Sequence, residues 1–438
     1  MQSLATITSS KTYAETLELP LNYVPARKPI SRKSLADDLA DFREFGQVTR
    51  KLATAFVDAE GKSREVPTFV NEFWTAKQRQ AHSLHEISYR ACFKPQLPRF
   101  FIERLTEPGD VVYDPFMGRG TTPIEAALLG RVPIGNDINP LSVVMTKPRL
   151  NPPRLAEVEA RLKEIRFDEA AEMPEDLLAF YHSETLHAIS SLKKYLAKRR
   201  QIYGLDAVDE WIELIALNRL TGHSNGFFSV YTMPPNQAVS ARAQRKINEK
   251  RKQTPPKRDV AKIILRKSRI LLSDLSATGR ATLASASKEA KLLTHSADAT
   301  PEIGSNSVSL VVTSPPFLNV VQYANDNWLR CWFLGVDPKA VKLTVPKKLE
   351  EWKIEMTKVF RELYRVLKPG GHVAFEVGEV HAGKTKLEEA VLPCGVAAGL
   401  EPKLVLINDQ KFTKTANCWG VDNNFKGTNT NRIVVFRK

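Results

Sequence analysis

The stretch that most narrows the fold of this chain is "VVYDPFMGRGTTPIEAALLGRVPIGNDINP", residues 111–140. An apolar run ends in an acid, two glycines permit a tight turn, a helix-like segment follows, and a second apolar run ends at Asp137. This is half of a strand–helix–strand unit, which implies a parallel sheet. Strand signals return at "KLLTHSADA", "SVSLVVTSPPF", "HVAFEVGE", "PKLVLIND" and "NRIVVFRK". The expected fold is α/β, with a doubly wound, mainly parallel, Rossmann-like sheet.

A change of character interrupts this pattern. From about 151 to 290 the periodicity is helical, as in "RLAEVEARLKEIRFDEAAEM" and "VDEWIELIALNRL". The expected layout is residues 1–84 as a polar, helical region without a motif, 85–150 as the first part of the sheet domain, 151–290 as a helical basic insertion, and 291–438 as the second part. Within 1–84, "SRKSLADDLADFREFGQVTRKLATAF" reads as helical.

Charge is concentrated in the insertion. The formal net charge is +15, and between Arg242 and Arg269 only Glu249 and Asp259 stand against a crowd of lysines and arginines. Such clustering is the electrostatic footprint of a phosphate-backbone reader. Arg242, Arg245, Lys246, Arg251, Lys257 and Arg258 are the candidate DNA contacts. Just before them, Asn225, Phe227, Phe228, Tyr231, Asn236 and Gln237 suit either base-edge contacts or a polar loop over the site. No apolar run approaches the roughly 20 residues of a membrane span, and the first residues lack a secretory pattern. Cys92, Cys331, Cys394 and Cys418 are far apart and the histidines show no metal-ligand spacing, so neither disulfides nor a metal is expected. The expectation is a cytoplasmic protein.

The glycine motif has its own chemistry. Gly118 and Gly120 allow close backbone approach to a ligand, while Thr121 and Thr122 are placed to cap the next helix, whose N–H groups suit a carboxylate. Asp137, 17 residues beyond Gly120, is about where an acid meets ribose hydroxyls in nucleotide-binding folds. No GK[ST] follows, so the motif is not a P-loop. An acid at the strand end, Asp114, would repel pyrophosphate but pair with an ammonium. S-adenosylmethionine carries an amino-acid end, a ribose and an adenine, and fits. Asp298, in "THSADATP", reads as the end of another strand, where it accepts from the adenine amine or caps the next turn.

The second motif is "TSPPF". The residue before a proline is held extended, and Pro315 and Pro316 have no N–H. Ser314 and the Pro315 carbonyl thus form an acceptor-rich surface for a substrate bearing an NH2 group, with Phe317 offering a face on which to stack a base. No general-base constellation is required, because a neutral amine can attack first and lose its proton afterwards, and no cysteine lies in the setting expected of a covalent nucleophile.

"DPFMGRGTT" together with "TSPPF" closely resembles the amino-methylating DNA methyltransferases, which methylate cytosine N4 or adenine N6. The resemblance covers about 85–150 and 290–438. It implies cofactor roles for Asp114, Phe116, Gly118, Gly120 and Asp137, and catalytic roles for Ser314, Pro315, Pro316 and Phe317. "FKPQLPRFFIERL" is similar to the family's helix over the methionine end of the cofactor, and "RVLKPGGHVAFEVGE" to its later core strand. Serine in the first catalytic position is similar to the cytosine-N4 branch; adenine-N6 enzymes more often carry Asp or Asn there. The resemblance further implies double-stranded DNA as partner, a target base flipped out of the helix, and a cognate restriction endonuclease as a further candidate partner. An adenine-N6 enzyme, an RNA methyltransferase and an inactive DNA-binding protein on the same scaffold are the alternatives.

Overall fold

The computed structural model describes residues 33–58, 60–75, 81–89, 92–169, 171–232, 238–316, 323–337, 346, 348–380, 385–409 and 430–438. The chain opens with α1 (Leu35–Asp41), the hairpin β1 (Arg50–Val57) and β2 (Ser63–Asn71), and α2 (Gln96–Leu105). The glycine motif lies between β3 (Val111–Asp114) and α3 (Thr121–Leu128), followed by β4 (Val132–Asn136) and α4 (Leu141–Leu150). A helical run follows: α5 (Leu155–Glu164), α6 (Ser183–Ile202), α7 (Ala207–Arg219), α8 (Ala241–Arg251), α9 (Val260–Leu271) and α10 (Ala277–Ser287). The sheet resumes with β5 (Lys291–Leu293) and β6 (Val308–Thr313), then α11 (Tyr323–Leu334), α12 (Leu349–Val366) and β7 (Leu367–Val377). A short pair, β8 (Glu379–Val380) and β9 (Thr385–Lys386), precedes α13 (Leu387–Ala397), β10 (Glu401–Asp409) and β11 (Thr430–Arg437).

Nine strands form one sheet in the order β1-β2-β10-β11-β7-β6-β3-β4-β5. β5, β4, β3, β6 and β7 are mutually parallel; β11 runs antiparallel between β7 and β10. From β3 the chain winds outward through β4 and β5, then returns to lay β6 on the other side of β3. Strand order therefore reverses between β3 and β6, and ligands of open α/β sheets bind outside the carboxyl ends of strands at such a point. Asp114 and Ser314 sit at those two ends. The sheet is α/β and mainly parallel in its centre, as expected.

Both faces of the central strands are covered, which is why they read as unbroken apolar runs. On β6, Val311 packs with α12 and α13 on one face, while Leu310 and Val312 pack with α2 and its aromatic neighbours Phe73 and Trp74 on the other. The helices between β4 and β5 share a third core with α3, α4 and α11, around the fully buried Trp211.

The amino-terminal region departs from its helical reading. Among its described residues the only α-helix is Leu35–Asp41, its first turn capped by the Ser34 hydroxyl accepting from the Asp37 N–H at 3.2 Å. Residues 50–57 instead pair with 63–71 as a hairpin, and β2 extends the sheet by pairing with β10. "RKLATAF" has good helix formers, but burying Val66, Thr68, Phe69 and Val70 of its partner outweighs local preference.

Candidate active site

At the end of β3 the Asp114 carboxyl is 1% exposed. Its Oδ1 accepts from the Thr313 hydroxyl at 2.6 Å and from the Phe116 N–H at 3.1 Å. Its Oδ2 is buried without a hydrogen-bond partner among the described residues. Burial dominates and raises its pKa to about 7, against the pull of the Thr313 bond. A carboxyl held like this is half satisfied, and its free oxygen is suited to a cationic donor.

The glycine loop closes on Asp137, just past β4. Its carboxylate accepts from the Gly118 N–H and the Asn139 N–H, each at 2.9 Å. Burial raises its pKa. Asp137 thus shapes the loop with both oxygens engaged by backbone, rather than standing free for hydroxyls alone. Both glycines adopt left-handed backbone, φ +51° at Gly118 and +77° at Gly120. A Cβ on Gly118 would meet Cys92 Sγ at 3.5 Å and Tyr89 at 3.7 Å, ordinary contact distances. On Gly120 it would collide with Thr146 Oγ1 at 2.2 Å. Gly118 therefore faces the approach lined by Tyr89 and Cys92, whereas Gly120 is needed for packing against α4.

The structure gives Thr121 and Thr122 duties other than capping. Gly120 occupies the cap position without a side-chain bond. Thr122 instead donates to the Val312 carbonyl at 3.1 Å, tying α3 to β6, and Thr121 accepts from Arg119 Nε at 3.3 Å. The first-turn N–H groups of a helix have no intrahelical acceptor, so a carboxylate can still dock there. Phe116 is half-buried against the core beneath the loop.

Cations brace the loop from behind. Fully buried Arg149 donates to the Leu84 carbonyl at 3.1 Å and to the Arg119 carbonyl, and Arg119 donates to the Ile87 carbonyl at 2.8 Å. Burial, with the Arg119 charge nearby, pushes Arg149 down to about 9. In α3, buried Glu125 joins His85 Nε2 at 2.7 Å and Arg99 Nε at 2.5 Å. Burial alone would raise Glu125, but these two bonds hold it near 2; burial lowers His85 to about 4, so its ring is neutral.

Across the switch point, Ser314 directly follows Thr313, whose hydroxyl touches Asp114. The two motifs meet there. Ser314 is partly exposed and Pro315 buried. The Pro316 carbonyl is taken by the indole N–H of Trp352 at 3.1 Å, which anchors the proline pair to α12. Phe317 lies outside the described residues, as do Asn236 and Gln237. Beside it on β7, one residue past Phe375, the ladder partner of Thr313, the buried carboxyl of Glu376 accepts from Asn431 Nδ2 at 2.6 Å. Glu376 escaped the sequence reading, although an acid inside the apolar "HVAFEVGE" was a signal.

Two groups of expected residues sit differently than anticipated. Asp298 does not end a strand: β5 stops at Leu293, and Asp298 accepts from Ser296 within the following turn. That turn is tied to β4, since Asn136 Oδ1 accepts from the His295 N–H at 2.9 Å. Of the candidate DNA contacts, Arg245 pairs with Asp176, Lys257 with Glu184 and Arg258 with Asn225 at 2.8 Å, while Arg251 lies 3.7 Å over the Tyr231 ring. Arg242 and Lys246 are exposed on α8. Phe227 and Phe228 are buried and cannot stack on a base as placed.

Comparison with known proteins finds the following similarities. A DNA methylase family model matches residues 8–147, which include the glycine motif. The chain is 26% identical over 315 residues to Type II methyltransferase M.BsoBI of Geobacillus stearothermophilus, covering 64% of this chain and 58% of that protein. It is 35% identical over 74 residues to Type II methyltransferase M.MjaII of Methanocaldococcus jannaschii, covering 17% of this chain and 14% of that one. The chain thus spans well under two thirds of the length of these relatives. Among solved structures, TrmN from Thermus thermophilus is 12% identical over 81% of this chain and 51% of its own, with a TM-score of 0.32. Over these stretches the chain is similar to amino-methylating DNA methyltransferases.

Proposed function

We propose that this protein binds S-adenosylmethionine in the Asp114–Gly118–Asp137 cradle and methylates the exocyclic N4 amine of a flipped-out cytosine in double-stranded DNA. The observation that carries the reading is the hydrogen bond between Thr313 and Asp114, which ties a buried carboxyl, its Oδ2 without a partner among the described residues, to the residue that precedes Ser314. The fit to the cofactor is chemical: Asp114 Oδ2 lacks a donor, which an ammonium supplies, and the first turn of α3 offers N–H groups to its carboxylate. Bound there, S-adenosylmethionine supplies an electrophilic methyl group.

The chain's residues do the rest. Asp114 fixes the amino-acid end, and Asp137, held by the Gly118 and Asn139 N–H groups, lines the ribose side of the loop. Ser314 and the Pro315 carbonyl accept the two hydrogens of the target amine, favouring a more tetrahedral nitrogen. Each such bond contributes only about 0.5–1.5 kcal/mol in an ordinary context. Orientation contributes more, up to about 7–11 kcal/mol in ideal cases. Trp352 serves that orientation by immobilising the Pro316 carbonyl. Cations of the helical region hold the phosphate backbone and so offset the few kcal/mol of base flipping. Serine at position 314 supports cytosine N4 over adenine N6. A modification enzyme of this kind works inside the cell beside an endonuclease that cuts the same site.

Incubation of unmethylated duplex DNA with methyl-labelled S-adenosylmethionine, then nucleoside analysis, tests this reading. Label in N4-methylcytosine is the expected result. Label in N6-methyladenine would reassign the base, and label only in an RNA substrate would overturn the DNA reading.

A further inference from the structure

The two ends of the nine-stranded sheet are finished differently. At one end β5 is only three residues long, and its Leu292 packs against the helical core. At the other end β1 runs eight residues in unbroken register with β2, from Arg50 opposite Val70 to Val57 opposite Ser63. Its outer edge has no strand partner among the described residues. Edge strands are usually blunted by a proline, a bulge or an inward-pointing charge, because their free N–H and C=O groups template another strand. From Leu52 to Val57 β1 has none of these, and its two charges, Arg50 and Lys51, sit at one end. The edge is also apolar: Leu52 is 55% and Val57 59% exposed, and Phe45 and Val48, on the chain leading into β1, are exposed as well.

We propose that β1 is a self-association surface, pairing antiparallel with β1 of a second copy of this chain about a two-fold axis at Thr54. The strand's own sequence selects both occupant and register. With Thr54 opposite Thr54 of the second copy, Ala53 falls opposite Ala55, Leu52 opposite Phe56, and Arg50 opposite Asp58. Side chains alternate between faces, so Arg50, Leu52, Thr54, Phe56 and Asp58 share one face. Across the axis on that face, apolar meets apolar, hydroxyl meets hydroxyl and cation meets acid, and symmetry makes each unlike pair occur twice. Moving the axis to Ala53 sets Arg50 against Phe56; moving it to Ala55 sets Leu52 against Asp58. Self-matching of this kind is what a two-fold contact requires, and it covers Leu52, which its own chain leaves bare.

The charges steer register more than they add affinity. Arg50 is held by an exposed pair with Asp409 at 3.2 Å, and Asp58 by Arg64 at 2.6 Å. The surface is also independent of the reaction proposed above. Five strand spacings separate β1 from β6, about 24 Å at about 4.8 Å each, so the pairing leaves both switch points uncovered.

Sedimentation equilibrium of the full chain across micromolar concentrations tests this. The expected result is a reversible species of twice the 49.2 kDa chain mass. Leu52→Lys sets a charge opposite Phe56 of the second copy and should weaken the dimer about tenfold or more. Its melting temperature should stay that of the wild type, since Leu52 is largely exposed. Thr54→Cys should form an intermolecular disulfide under mild oxidation, because directly opposed residues of an antiparallel pair lie about 4.5–5.5 Å apart at Cα. Arg50→Cys should not, and the wild type run alongside accounts for the native cysteines. A chain that stays monomeric overturns the proposal, and amide exchange at β1 then gives the reason: slow exchange means that another part of the same chain covers the edge, fast exchange that the edge stands open. A dimer that Leu52→Lys leaves intact, or that cross-links through Arg50→Cys in place of Thr54→Cys, overturns it as well.

Discussion

The switch-point loops and the basic helices α8 and α9 both announced themselves in the sequence, yet the structure treats them oppositely. At the switch point, polar groups are left wanting: Asp114 Oδ2 has no partner among the described residues, and Ser314 is partly exposed. On and between the basic helices, part of the charge is spoken for. Arg245 and Lys257 pair with Asp176 and Glu184, which come from distant parts of the chain. Unsatisfied chemistry marks function more sharply than abundant chemistry does.

The largest test of that contrast is Asp114→Asn. With the ammonium partner gone, cofactor affinity should fall more than about 100-fold, in line with the roughly 3–5 kcal/mol lost when one member of a buried pair is removed. Stability should move the other way. The folded carboxyl holds its proton more tightly than the unfolded one, pKa about 7 against 3.8. Its cost to the fold therefore grows as pH rises from about 4 to about 7 and is constant above. At about 1.4 kcal/mol per unit, removing it should stabilise the protein by a few kcal/mol at pH 8 and hardly at all at pH 4. Calorimetric melting at both pH values checks this; a variant less stable at pH 8 would mean that Asp114 is a structural anchor and would dissolve the contrast.

A smaller effect separates the two glycines. Gly120→Ala should destabilise by roughly 2 kcal/mol or more, from left-handed backbone plus the clash with Thr146. Thr146→Gly should return part of that loss. Gly118→Ala meets nothing closer than 3.5 Å, so it should keep more stability and lose cofactor affinity instead. Urea melts beside cofactor titrations would show the split, and equal stability losses would erase it.

Legibility in the sequence followed the range of each interaction. Strand, turn, helix and strand lie contiguously in 111–137, so the loop could be read directly. Ser314 was found because prolines restrict their neighbours without outside help. Glu376 and Asn431 were missed because only sheet pairing brings β7 and β11 to the end of β6. The β1–β2 hairpin was misread for a related reason, since β10, some 330 residues on, supplies the neighbour that makes a strand of 63–71. The cations were counted correctly but not discounted, because Asp176 and Glu184 are neutralising partners only after folding.

That last point yields the finest comparison. If paired cations are committed to the fold, neutralising exposed Arg242 and Lys246 together should reduce the salt slope of duplex DNA affinity by about 2, close to 0.9 per lost phosphate contact. Neutralising Arg245 and Lys257 should change it by less, because each already faces a carboxylate and would have to give it up to reach a phosphate. Stability should barely register either change, since exposed ion pairs contribute only about 0–1 kcal/mol. Filter binding across a series of salt concentrations distinguishes the pairs. Equal slopes would mean that DNA competes Asp176 and Glu184 away, making those two acids a built-in brake on binding; replacing both with glutamine and asparagine would then steepen the slope.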